Sequence, residues 1–77
     1  MSKKGVIRSE CKGFWFVEDY ESRRSYFVHH SQVISEIYLH VGDIIEFVVM
    51  PNPVRPTQMM AGSVKFIGRE IDSAARR

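Results

Sequence analysis

Apolar and polar side chains alternate with a period of two along most of this chain, the signature of strands lying on a core with one face. Lys3 to Ser9 reads as a short first strand, and Gly13-Phe14-Trp15-Phe16-Val17 as a second, rich in residues that pleated sheets favour. Tyr20-Glu21-Ser22-Arg23 is a polar loop, and Ser25-Tyr26-Phe27-Val28-His29 is a third strand. Val41-Gly42-Asp43 makes a turn before a fourth, β-branched run from Ile44 to Val49. Pro51, Pro53 and Pro56 exclude regular pairing in the next loop, and Met60 to Ile67 supplies a fifth strand with a bulge expected at Gly62. Ser31 to Tyr38 has room for one or two helical turns. The domain is expected over 1–68, with 69–77 (REIDSAARR) a tail or a short amphipathic helix.

Five short strands within 77 residues form a single all-β domain. The predicted fold is a five-stranded antiparallel barrel of the OB-fold type, since a sandwich needs more strands and closure removes exposed edges. The composition, 44% hydrophobic and 26% charged, is that of an ordinary globular protein. One cysteine, Cys11, cannot form an internal disulfide, which points to a reducing, cytoplasmic setting. The apolar run after Lys3 and Lys4 stops at Arg8, too short for a signal-peptide core, and no stretch reaches membrane-spanning length.

Net charge of +2 says little, but its distribution says more. Lys3, Lys4, Arg8 and Lys12 face only Glu10 among the first sixteen residues, and Arg55, Lys65 and Arg69 lie in an acid-free stretch from Val49 to Arg69. Lys12-Gly13-Phe14-Trp15-Phe16-Val17 fits the first ribonucleoprotein signature: a basic residue, glycine, then two aromatics flanking one position. Alternation puts Phe14 and Phe16 on one face with Lys12, and Trp15 and Val17 on the other. With Trp15 and Val17 inward, two phenyl rings stand in solvent beside a cation, the arrangement of a base-stacking platform. Phe27 and His29 share a face of the next strand, so the four rings are expected to form one patch across the pair.

The chain resembles the bacterial cold-shock proteins and the cold-shock domains of eukaryotic RNA-binding proteins over roughly residues 3 to 67. KGFWFV is similar to the family's KGFGFI, YFVHHS to its VFVHFS, VGDIIEF to its EGQ-x-V-x-F, and PTQMMAGSV to its proline-glutamine segment. The resemblance implies a five-stranded barrel that binds single-stranded RNA or DNA, with RNA chaperone or transcription and translation regulatory roles. Phe14, Phe16, Phe27 and His29 match its stacking positions. The chain departs from the family in three places. Ile7-Arg8-Ser9 stands where the family has K-W-F-N, Trp15 replaces a glycine, and His30 replaces an aromatic. Trp15 is expected to point inward and fill volume vacated by the missing first-strand aromatic.

The candidate nucleic-acid-binding residues are therefore Lys12, Phe14, Phe16, Phe27, His29 and His30, with Arg8 and Arg55 following phosphates. The alternative is a barrel whose aromatic face meets a protein partner or a second copy, giving a weak homodimer in place of a monomer. His29 and His30, consecutive on a strand, are expected on opposite faces, and without a CxxC or a spaced histidine pair no metal or other cofactor is expected. Met50, Met59 and Met60 are expected in the core. No nucleophile, base and orienter set or phosphate loop is present, so the chain is not expected to be an enzyme.

Overall fold

The computed structural model of the chain describes residues 2–34 and 38–70. Within them lie five strands: β1 (Ser2–Cys11), β2 (Phe14–Asp19), β3 (Ser25–His29), β4 (Asp43–Pro51) and β5 (Met59–Arg69), with one 3₁₀ turn at His30–Gln32. They close into a barrel in the order β1-β2-β3-β5-β4. Four of the junctions are antiparallel, as expected. The fifth is parallel and short, formed by Phe27 with Met60 and Val28 with Ala61. The Val33–Val64 bridge continues it past the 3₁₀ turn. A helix over Ser31–Tyr38 is therefore replaced, as far as Ile34, by that turn and a strand-like bridge, and residues 35–37 lie outside the described set. β5 continues through Arg69, and the expected tail lies outside the described residues from 71 onward.

The core is built by the inward set of each strand. Val17, Val28, Ile45, Phe47 and Val64 are fully or almost fully buried, and Ile7, Trp15 and Leu39 join them in one cluster. Burying a side chain of this size contributes about 1.5–3 kcal/mol, so a handful of such residues suffices for a domain this small. Trp15 is 3% exposed and its indole Nε1–H donates to the Leu39 carbonyl at 2.9 Å. That bond ties the irregular segment before β4 to the centre of β2, and satisfies a buried polar group at both ends.

Turns and irregularities set the barrel's curvature. The β1–β2 hairpin turns at Lys12-Gly13, where Gly13 adopts φ of 86°, a left-handed value open to glycine at no steric cost. β1 is buried at three consecutive residues, Gly5, Val6 and Ile7, because it pairs with β4 on one edge and β2 on the other as it bends. A bulge then leaves Arg8 unpaired between Ile7 and Ser9. In β5 one extra residue falls between Gly62 and Lys65, with Ser63 at φ of 49°, directly after the glycine where a bulge was expected, and a second, Ile67, falls between Phe66 and Gly68. The β2–β3 loop is organised by the buried Asp19. Its carboxylate accepts from the Ser22 hydroxyl at 2.8 Å and the Glu21 amide at 3.2 Å, and its backbone closes on Arg23 and Arg24.

Candidate nucleic-acid interface

Register between β2 and β3 pairs Phe14 with His29 and Phe16 with Phe27. All four are half-buried on the outer face, whereas Trp15, Val17 and Val28 of the same strands are buried. Their rings touch in sequence. Phe14 lies 5.9 Å from Phe16 and 5.4 Å from Phe27, Phe16 lies 6.0 Å from Phe27, and Phe27 lies 6.2 Å from His29. Edge-on and tilted contacts at these spacings pack the rings against one another. The expected patch is thus present as geometry.

His30 is placed differently from its expectation. β3 ends at His29, and His30 opens the 3₁₀ turn, so strand alternation does not send the two imidazoles to opposite faces. Their ring centroids are 4.4 Å apart at 35°. His30 thereby extends the ring surface from Phe27 and His29 toward the β1–β2 turn, where its amide donates to the Gly13 carbonyl at 3.2 Å. The His29 Nδ1 accepts the Ser31 amide at 3.2 Å and lies 2.8 Å from the Ser31 hydroxyl, capping the 3₁₀ turn. Among the described residues no group of three His, Cys, Asp or Glu side chains is arranged to hold a metal ion.

On its β3 side the patch meets the β4–β5 loop. Two clefts form there: one of about 360 Å³ lined by Phe16, Phe27, Asn52, Val54, Arg55 and Gln58, and one of about 520 Å³ where Phe16 and Phe27 meet Arg24, Thr57, Gln58 and Met59. The loop is held by its own hydrogen bonds, Asn52 N–H to Gln58 O and Gln58 N–H to Arg55 O, each 2.9 Å.

No family model matches the sequence, and no curated protein matches it. Among solved structures, that of drosophila Unr CSD456 matches over 87% of this chain with a TM-score of 0.73 and 25% sequence identity. The fold is that of a cold-shock domain. The chain spans 27% of the length of that structure.

Charge on this cold-shock barrel is divided between structural pairs and uncommitted cations. Arg8 bonds Glu18 at 2.9 Å and Glu70 at 3.3 Å, and Arg23 lies 3.6 Å from Glu18. The Arg8 hydrogen bond, working against partial burial and helped by the charges of Arg8 and Arg23, holds the Glu18 carboxyl below its ordinary range. The same bond raises Arg8 further above its ordinary value. Arg8 is therefore the bulged residue that ties β1 to β2 and to the end of β5, with its charge already met. Lys12, Arg24 and Arg55 take part in no ion pair among the described residues. Lys12 lies in the hairpin turn and not on β2, so strand alternation does not set its face. Arg55 lies beside Phe16 and Phe27, as a lining residue of the smaller cleft.

Other parts of the cold-shock surface are not visible to sequence periodicity. Met59 is 46% exposed and lines the larger cleft, so only Met60 of the three expected core methionines is fully buried, with Met50 half-buried. Asn52, Val54 and Gln58 lie in the β4–β5 loop and line the smaller cleft with Phe16 and Phe27. Pro51, Pro53 and Pro56 mark the loop in the sequence but not where it lies against the rings. Tyr38 is exposed, with its ring 5.4 Å from Trp15 and 5.1 Å from His40.

Proposed function

We propose that this cold-shock barrel binds single-stranded RNA or DNA, stacking two or three bases on Phe14, Phe16, Phe27 and His29, with His30 at the margin. The observation that carries the reading is the continuous, half-open ring surface on the outer face of β2 and β3. Nothing apolar is gained by leaving phenyl rings on water, whereas base stacking on such rings is worth about 1–3 kcal/mol per base. Lys12, Arg24 and Arg55, which have no acidic partner among the described residues, follow the phosphates. Arg8 serves the fold. The chain acts without catalysis or cofactor, as a monomer or weak homodimer in the cytoplasm, in an RNA chaperone or transcription and translation regulatory role.

Fluorescence anisotropy of labelled octamers of single-stranded RNA and DNA tests this against wild type and Phe14→Ala/Phe27→Ala. Micromolar or tighter binding that is lost in the folded double variant supports the platform. A stable dimer on a sizing column that ignores every oligonucleotide at low salt supports instead a protein partner for the same rings.

A further inference from the structure

We infer that Glu18 limits the length of single strand this barrel engages, by ending the ring row of β2 with a carboxylate and by holding Arg23 away from phosphates. The inference rests on the single-strand binding reading above and deepens it with a residue that acts against binding. Alternation along β2 puts Phe14, Phe16 and Glu18 half-buried on the outer face, with Trp15, Val17 and Asp19 buried behind them. Register with β3 then gives three rows across the pair: Phe14 beside His29, Phe16 beside Phe27, and Glu18 beside Ser25. Rings fill the first two rows. The third, about 7 Å further along β2, offers a carboxylate and an exposed serine.

Two arginines meet that carboxylate. Arg8 of β1 lies 2.9 Å from one oxygen, and Arg23 of the β2–β3 loop lies 3.6 Å from the other. Arg8 is also bound by Glu70, whereas Glu18 is the one acidic partner of Arg23 among the described residues. The loop keeps Arg23 in place, its amide donating to the Asp19 carbonyl at 2.8 Å. Arg24 has no ion pair among the described residues and lines the larger cleft with Phe16 and Phe27. Consecutive arginines therefore differ in what they offer a phosphate: Arg24 is uncommitted beside the rings, and Arg23 is neutralised one row beyond them. With Arg8 shared between Glu18 and Glu70, the third row sets two cations against two carboxylates, so a strand leaving the rings gains no charge attraction there. The Arg23–Glu18 pair is exposed enough to contribute little to folding, so the barrel tolerates loss of this charge.

Labelled oligothymidine tetramers and octamers, followed by anisotropy, separate the rings from what lies beyond them. Glu18→Gln keeps an acceptor for Arg8 and removes the charge. Octamer affinity is expected to rise about three- to fivefold while tetramer affinity changes less than about twofold. The octamer log–log salt slope is expected to steepen by about 0.7, as Arg23 takes up one phosphate. Adding Arg23→Ala to Glu18→Gln is expected to return the octamer to wild-type affinity. Glu46→Gln removes the same charge from β4, which neighbours neither β2 nor β3, and is expected to leave the octamer-to-tetramer ratio at its wild-type value. Thermal melts confirm the fold of each variant. An unchanged ratio in Glu18→Gln, or an equal rise in Glu46→Gln, would overturn the limiting role of Glu18 while leaving the platform standing. Failure of the wild type to bind either oligomer at low salt would overturn the platform and the limit together.

Discussion

At the scale of single residues, β2 carries two opposite burdens in alternate positions. Trp15 serves the core and Phe14 and Phe16 serve the surface, and their responses to substitution should differ in kind. Trp15→Phe removes the donor to the Leu39 carbonyl and leaves a cavity, so it is expected to cost about 2–4 kcal/mol in urea unfolding while leaving the folded platform intact. Phe16→Ala truncates a half-buried ring and should cost less stability but reduce oligonucleotide affinity about fivefold or more, measured by anisotropy. A Trp15→Phe protein as stable as wild type would mean that the indole bond contributes nothing. Arg8→Ala is expected to lower stability with little change in affinity, and Arg55→Ala to do the reverse, because Arg8 is already engaged by carboxylates whereas Arg55 has no acidic partner among the described residues.

Elements add constraints that no single side chain reveals. A Cβ on Gly5 would overlap the Glu18 carbonyl oxygen and the Val17 side chain across the β1–β2 pair. Backbone cannot yield as a flexible side chain does, so Gly5→Ala is expected to destabilise by more than about 2 kcal/mol. Gly13→Ala meets nothing nearer than His30 Cδ2 at 3.9 Å and should cost only the left-handed backbone conformation, about 1 kcal/mol. Denaturant midpoints of the two variants check the order. The same distinction explains what could be read in advance. Period-two patterning identified β2 and β3 and assigned Trp15, Val17 and Val28 inward, because straight, one-sided strands obey alternation. It failed for β1, where bending buries Gly5, Val6 and Ile7 in succession, and at His30, where the strand ends. For Lys12 alternation carries no information for a related reason: a turn residue inherits no face from the strand beside it. Asn52, Gln58 and Met59 were not legible because a loop's position depends on distant pairing, here of β4 with β5.

Across the whole molecule, charge links stability to pH and binding to salt. Burial opposes the charge on Asp19, but the Ser22 hydroxyl, the Glu21 amide and Lys3 outweigh it and hold the carboxyl below its ordinary range. A carboxyl depressed in the folded state contributes its stability fully above the ordinary unfolded value, near pH 4, and loses it as pH falls through the lower folded value. Glu18 acts in the same direction. Thermal melts should therefore fall steeply below about pH 4, and Asp19→Asn should start lower at neutral pH and decline less steeply in acid. Oligonucleotide binding should weaken with salt with a log–log slope near −2, since three cations at about −0.7 each displace counterions from single strands. The most direct measurement of the platform is an amide nitrogen–proton NMR titration of the barrel with an unlabelled single-stranded octamer. The largest shift changes are expected along Phe14, Phe16, Phe27, His29 and the β4–β5 loop, with the outer face of β4 and β5 unchanged. Changes confined to that outer face, or spectra indifferent to every oligonucleotide at low salt, would contradict it.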